Sequence, residues 1–314
     1  MLATIESMDV EIANWLGLIF RFVHVVAAIM WIGNSLLFTW MEINLLTPNP
    51  EKDGQDPNLL GKLDMLHGGG VFHMEKRLIN HTSIPVPLHW FMWQSYTTWI
   101  TGSLLLATMF YLNGGSSFVD VTKSEISGST AITLSVLGIV GWWLIYDLIW
   151  RSKLKELPRI AIPLTMGLLI LAAMGFDQVF NGRALYLQIG VMMGSSMTAN
   201  VFFHIIRNQK QFMKSLLAGE SHDLEYGKQA KTRSMHNHYM TFPVLFMMLS
   251  AHFPQLTSPT NRVAILAVIM VMLMGIKFLM NSRNHFKKWH LSIASLTLIG
   301  CVFISFVSVL KSSS

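Results

Sequence analysis

The chain has 314 residues, of which 52% are hydrophobic and 13% charged. Soluble domains carry about 25% charged residues, so this composition excludes an ordinary water-soluble domain. The net charge of +6 would suit nucleic acid, but the bases are spread over separate loops, so the excess is a topology signal and no nucleic-acid partner is expected.

The single cysteine, Cys301, lies in an apolar run and excludes a disulfide framework, a cysteine zinc site, an iron–sulfur cluster and covalent haem through CxxCH. Met1–Ala13 is acidic and leads straight into a full-length span, so no cleavable signal peptide is expected. A helix crossing about 30 Å of hydrocarbon needs about 20 apolar residues. Such runs lie at 14–41, 88–113, 129–150, 159–177, 184–207, 237–253, 260–281 and 289–310. They are continuous rather than alternating, which excludes a barrel, and they leave no room for a separate soluble domain. The expected fold class is all-α: one integral membrane domain over 1–314 with eight transmembrane helices.

Eighteen of the 23 Lys and Arg fall on one side of this arrangement. They are Lys52, Lys62, Lys76 and Arg77; Arg151, Lys153, Lys155 and Arg159; Arg207, Lys210, Lys214, Lys228, Lys231 and Arg233; and Lys277, Arg283, Lys287 and Lys288. The other side holds Lys123, Arg183, Arg262 and Lys311, and Arg21 lies within the first span. Basic loops stay cytoplasmic, so both termini are expected outside, with 42–87, 151–158, 208–235 and 282–288 inside. The acidic Glu6, Asp9 and Glu11 agree with an outer N-terminus.

Ionisable groups inside a membrane are costly and mark function by default. The first span places His24 about 15 Å deep at 1.5 Å per residue, with Arg21 one turn before it and able to snorkel outward. An imidazole at that depth either hydrogen-bonds a neighbouring helix or ligates a haem iron, with Arg21 pairing a propionate. A non-covalent b-type haem is the expected cofactor, with His24 on the iron and His252, in the outer half of the sixth span, as the best second ligand by depth. His252 also reads simply as an interfacial residue of the Ser250–Pro254 exit.

The long connection 42–87 opens with Pro, Asn, Asp and Gly at 47–57, a loop signature. Leu59–Leu66 is short and mixed, and an interfacial helix is expected there. His67-Gly68-Gly69-Gly70 either brings backbone close to a ligand or relaxes a turn.

A denser polar constellation follows at the inner ends of the spans. His89 opens the second span, with Trp93, Gln94 and Thr97 at helical spacing; Asp147 lies one turn from the end of the third, and Glu42 closes the first. Asn200 and His204 are four apart on the fifth span and share a face. His236, Asn237, His238 and Tyr239 open the sixth. Imidazole, carboxamide and carboxylate groups at a common depth suit a planar, hydrogen-bonding substrate that must lose protons. His204, His238 and Asp147 are the expected proton-handling groups, and His89, His236, Asn200 and Gln94 the expected substrate-binding groups. Each alone also reads as an interface anchor. His236 and His238 project about 200° apart on a helix, which argues against a shared metal. Gly190, Gly194 and Thr198 form a small-residue packing stripe; Pro163 and Pro243 are tolerable breaks within spans.

Four stretches are distinctive: FRFVHVVAAIMWIGNSLLFTWMEINL (20–45), LHGGGVFHMEKRLI (66–79), LHWFMWQSYTTWITG (88–102) and MHNHYMTFPVLFMMLSAHFP (235–254). They resemble the membrane domain of the bacterial membrane-bound, cytochrome-c-linked urate oxidases, and the likeness runs over nearly the whole chain. The resemblance implies oxidation of urate to 5-hydroxyisourate in purine degradation, in the bacterial inner membrane, with electrons passed to cytochrome c. Members of that family continue into a c-type cytochrome carrying CxxCH. This sequence has no such motif, so a separate cytochrome c is the expected acceptor. The alternative is a non-catalytic haem b subunit that relays electrons within a larger complex. The His24-to-Trp31 spacing is also similar to the first span of the haem-binding bacterial membrane protoporphyrinogen oxidases, which implies haem at His24.

Overall fold

In a computed structural model, residues 2–49, 51, 56–79, 87–218 and 224–309 are described, the side chains of 2–10, 224 and 309 aside. The readings made for Lys52 and Lys311, the side chains of Glu6 and Asp9, and part of the 47–57 loop lie outside them.

The helices run α1 (Leu2–Asn44), α2 (Trp93–Leu106) extended by a π-turn at Ala107–Tyr111, α3 (Gly128–Arg151) and α4 (Pro158–Asp177). Then come α5 (Gly182–Ala199), which passes through a π-turn at Asn200–Ile205 into α6 (Ile206–Leu217), α7 (Leu224–Ser250), α8 (Arg262–Asn281) and α9 (Trp289–Val309). Local chemistry explains several starts. The Ser127 and Asn181 side chains accept from the Thr130 and Ala184 amides, capping α3 and α5. Pro158, with no amide hydrogen to satisfy, opens α4.

Among the described residues, six helical stretches are long and apolar enough to cross a membrane: Glu11–Asn44, Gly128–Arg151, Pro158–Asp177, Gly182–Leu217, Arg262–Asn281 and Trp289–Ser308. The other two expected spans are helical but do not meet that standard. The α-helical part of α2 has 14 residues, and α7 opens with Glu225, Lys228, Lys231 and Arg233 before its apolar half.

The bundle is built around α5, where 12 of 18 residues are buried. Small residues set the crossings, as expected where packing rather than water drives association. A Cβ on Gly190 would stand 2.9 Å from Met247 Cβ, and one on Gly194 would stand 3.7 Å from Val244, so the expected stripe faces α7. Gly138 of α3 receives the Phe176 ring of α4. At the opposite end from the α1 C-terminus, buried Arg262 donates to the Asp177 carboxylate, to Asp120 at 3.3 Å and to the Phe180 carbonyl at 3.2 Å. Lys123 donates to the same Asp177 at 2.9 Å. This clamp joins the loop after α2, the end of α4 and the start of α8.

The interfacial helix expected at 59–66 is not there. Strand β1 (Leu59–His67) pairs antiparallel with β2 (Gly70–Arg77). Leu59, Gly61 and Leu63 are buried while Leu60 and Asp64 are exposed, a period of two that suits a strand. Gly68 and Gly69 take φ of +59° and +80°, the left-handed pair that a two-residue hairpin turn requires. The glycine run therefore turns the chain. The hairpin base is tied to α1 through the Leu46–Lys62 bridge and an ion pair from Lys76 to Glu42.

Candidate functional site

The end of the bundle that holds the α1 C-terminus carries a buried hydrogen-bonded network. At its centre, Asp147 on α3 accepts at Oδ1 from His204 Nε2 at 2.6 Å and from Arg233 Nη2 at 2.7 Å. The side chains of Asp147, His204 and Arg233 are 14%, 17% and 5% exposed, so these charges work against little solvent screening. Arg151 reaches the other oxygen only at 3.5 Å and is 70% exposed. A carboxylate only accepts, so His204 Nε2 carries a proton and its Nδ1 holds the free lone pair of the neutral ring.

The rest of the network has one consistent direction. Asn237 Nδ2 donates to the Met197 carbonyl at 2.8 Å, so its Oδ1 must accept, and it does so from Asn200 Nδ2 at 2.8 Å. Asn200 Nδ2 also donates to the Tyr146 hydroxyl at 2.9 Å, while its Oδ1 faces Arg233 Nη1 at 3.4 Å. Tyr146 therefore donates its own proton to His236 Nδ1 at 2.8 Å, which fixes His236 as the Nε2–H tautomer. Trp150 closes over that ring, with centroids 4.0 Å apart. The Arg233 guanidinium also lies 5.2 Å from the Tyr146 ring centroid.

Of the residues singled out from sequence, this network unites Asp147, His204, Asn200 and His236. His238 is turned away from it. Its Nδ1 lies 3.2 Å from Thr39 Oγ1 on α1 and its Nε2 lies 3.1 Å from Asn281 Oδ1 on α8. His89 stands exposed in the stretch before α2, because the helix begins only at Trp93. Gln94 lines a groove of about 300 Å³ between α1 and α2, whose walls are Phe22, Val23, Val26, Ala27, Met30, Trp93 and Thr97. Asn200 has both amide hydrogens engaged within the protein, so it positions Tyr146 and offers no donor to a bound ring. Asn237, read as part of the constellation without a role of its own, also belongs to it, whereas Tyr146 and Arg233 were missed as members. Arg233 sits three and four residues before His236 and Asn237, spacing that could have placed all three on one helix face.

His24 packs against α2, where a Cβ on Gly102 would stand 2.9 Å from its Cε1. Its Nδ1 donates to the Thr98 carbonyl at 2.9 Å, which leaves Nε2 with the lone pair, the arrangement that orients a metal-ligating histidine. Arg21 is exposed and leans one turn back over Gly17, where a Cβ would stand 3.7 Å from its Nη1. His252 stands exposed on the turn after α7, and among the described residues no hydrogen bond joins it to His24. Among the described residues, no group of three or more His, Cys, Asp or Glu gathers to hold a metal ion.

These features define an all-α bundle, several of whose helices are long and apolar as in a membrane protein, with a charged, hydrogen-bonded network at one end. The family model described as "Urate oxidase N-terminal" matches residues 10–308. The chain belongs to that family. No curated protein and no solved structure matches it.

Proposed function

We propose that this protein is a membrane oxidoreductase acting on urate, and the family match across 10–308 is the observation that carries the reading. The reaction is urate plus water giving 5-hydroxyisourate, two protons and two electrons, with the electrons leaving one at a time to a separate cytochrome c. The reacting ring must lose protons, and the His204–Asp147 pair is built to take one. His204 Nδ1 is the free acceptor, and Asp147 holds the ring in register and stabilises the imidazolium that forms. Arg233, Asn200 and Tyr146 act as positioning residues. Tyr146 in turn presents His236 with a fixed tautomer.

A b-type haem would be held through His24, whose Nδ1 is engaged by Thr98 and whose Nε2 keeps its lone pair. The exposed position of His252 does not support it as a second residue holding that group. A haem bound at His24 would supply one-electron carriage. We read the chain as eight spans of a bacterial inner membrane with both termini outside, which puts the network at the cytoplasmic face. The basic asymmetry of eighteen to four supports this orientation.

The test is urate-dependent reduction of cytochrome c by membranes containing the full chain. The parent should reduce it, and His204→Gln, which keeps a donor toward Asp147, should fall at least ~100-fold if general-base catalysis is lost. A parent inactive with urate and every acceptor would overturn the reading. A fully active His204→Gln would overturn the assignment of the base.

A further inference from the structure

On the other side of α7 from the network lies a corner rich in unpaired donors. Lys277 on α8 is 2% exposed, and its ammonium lies over the Phe242 ring at 4.6 Å to the centroid. Among the described residues no carboxylate pairs with it. The acid at this end of α1, Glu42, is already held by Lys76 and Lys231. One turn along α8, Asn281 faces His238, and its Nδ2 is buried with no partner. Two residues further on, Arg283 Nη2 is also buried and unpartnered. Asn284 ties this turn to the end of α1 by donating to the Ile43 carbonyl at 2.7 Å.

The histidine sharpens the imbalance. Thr39 donates its proton to the Ser35 carbonyl at 2.9 Å, so His238 Nδ1 must donate to Thr39. His238 Nε2 then either donates to Asn281 Oδ1, making the ring a second cation, or accepts from a turned Asn281 amide. In both cases one polar atom of Asn281 remains buried and unpaired, and Lys277 has no counter-charge. A buried charge without a partner costs several kcal/mol, and more so within a membrane. In the network around Asp147, by contrast, the charges are matched, because its carboxylate meets Arg233 and His204 directly.

We propose that the corner between α1, α7 and α8, centred on Lys277, His238 and Asn281, binds a small organic monoanion. The ammonium takes the charge and the Asn281 amide pairs with a polar edge of the same molecule. On the reading given under Proposed function, and resting on it, that anion is urate, a weak acid with acceptor oxygens beside N–H donors, held here at a second position separate from the one His204 serves. The same charge chemistry would also suit the headgroup of an anionic lipid, so the test separates the two sources.

The full chain is reconstituted in phosphatidylcholine nanodiscs and its thermal unfolding is followed while sodium urate, sodium benzoate or inorganic phosphate is titrated. The expected result is stabilisation by urate, with the apparent affinity falling at least tenfold in Lys277→Met and retained in Lys277→Arg. Asn281→Leu, which leaves the charge in place, should weaken urate several-fold and keeps the proposal testable if Lys277→Met does not fold. Lys277-dependent stabilisation by benzoate but not urate would uphold the organic-anion site and remove urate from it, whereas stabilisation by phosphate alone would overturn it. Identical shifts in parent, Lys277→Met and Asn281→Leu, or no shift with any soluble anion, would overturn the proposal. Lys277-dependent stabilisation seen only in phosphatidylglycerol nanodiscs would overturn it in favour of a lipid headgroup.

Discussion

Replacing Asp147 by Asn tests whether the buried network holds the bundle together as a unit. The substitution keeps the shape of the side chain but removes the charge that Arg233 and His204 address at 2.7 and 2.6 Å. Each hydrogen bond to a charged group contributes about 1.5–3 kcal/mol, and the Asn oxygen retains part of one. Removing one partner of a buried pair costs about 3–5 kcal/mol because the other charge is stranded. Arg233, at 5% side-chain exposure, is largely shielded from water, so a loss of about 3 kcal/mol is expected for Asp147→Asn. The exposed Arg151 adds little, as a surface ion pair contributes about 0–1 kcal/mol. Reversible unfolding in mixed micelles gives the free energy for the parent, Asp147→Asn, Arg233→Met and the double variant. The double variant should recover much of the loss, because both charges leave together, giving a coupling of about 2 kcal/mol. Effects that add within about 0.5 kcal/mol would show that the two residues do not act on each other.

Two further outcomes follow from geometry outside the network. Gly182→Ala should cost about 1–3 kcal/mol or prevent folding through overpacking, since its Cβ would lie within 1.7 Å of the Thr257 carbonyl oxygen. Gly141→Ala, where nothing stands within 4 Å, should instead stabilise by up to about 1 kcal/mol; thermal unfolding of both checks the contrast, and equal effects would contradict it. The exposed hairpin should be pH-sensitive at both ends. Hydrogen bonds that His73 donates to Asp64 and then Glu75 raise it above its usual value, so its contribution is complete below about 6.5 and is lost as pH rises through the raised value. Arg77 and Lys62 hold Glu75 down to about 2, so its contribution is complete above about 4.5 and is lost as pH falls toward that value. Hydrogen exchange of 59–77, corrected for intrinsic rates, should show greatest protection between these limits, and an unchanged alkaline limb in His73→Ala would refute the His73 assignment.

Helical spacing made much of the site legible, and cross-helix neighbours were what it lacked. The four-residue interval of Asn200 and His204 placed both on one face, and Asp147 was read at the matching depth. The two-residue interval of His236 and His238 correctly separated them, one to Tyr146 and the other to Thr39 and Asn281. Arg233 was counted only as a loop charge, because its partner Asp147 is 86 residues away and no local pattern links them. Tyr146 went unread for the same reason. His89 was assigned to a helix that starts later, since Leu88–Met92 is apolar enough to extend a span on paper while its backbone remains irregular. The hairpin was misread because eight residues with leucines at both even and odd positions carry no decisive period; the buried Gly61, packed on Leu45, shows which face is inward.

The π-turn at Asn200–Ile205 carries a consequence for how this site can change over time. A π-turn holds one residue more than the α-helical turn it replaces, so it behaves as a single insertion stored inside a long apolar helix. Each of its residues turns the chain by less than the about 100° of an α-helix, so removing one residue from this segment would restore ordinary winding while α5 and α6 kept nearly the same relative facing. The side chains inside the segment, Asn200 and His204 among them, would be re-aimed, and the imidazole would leave Asp147. The same deletion in the regular part of α5 would instead turn everything beyond it by about 100°. A change of length here thus acts on the network alone and spares the packing on either side of it.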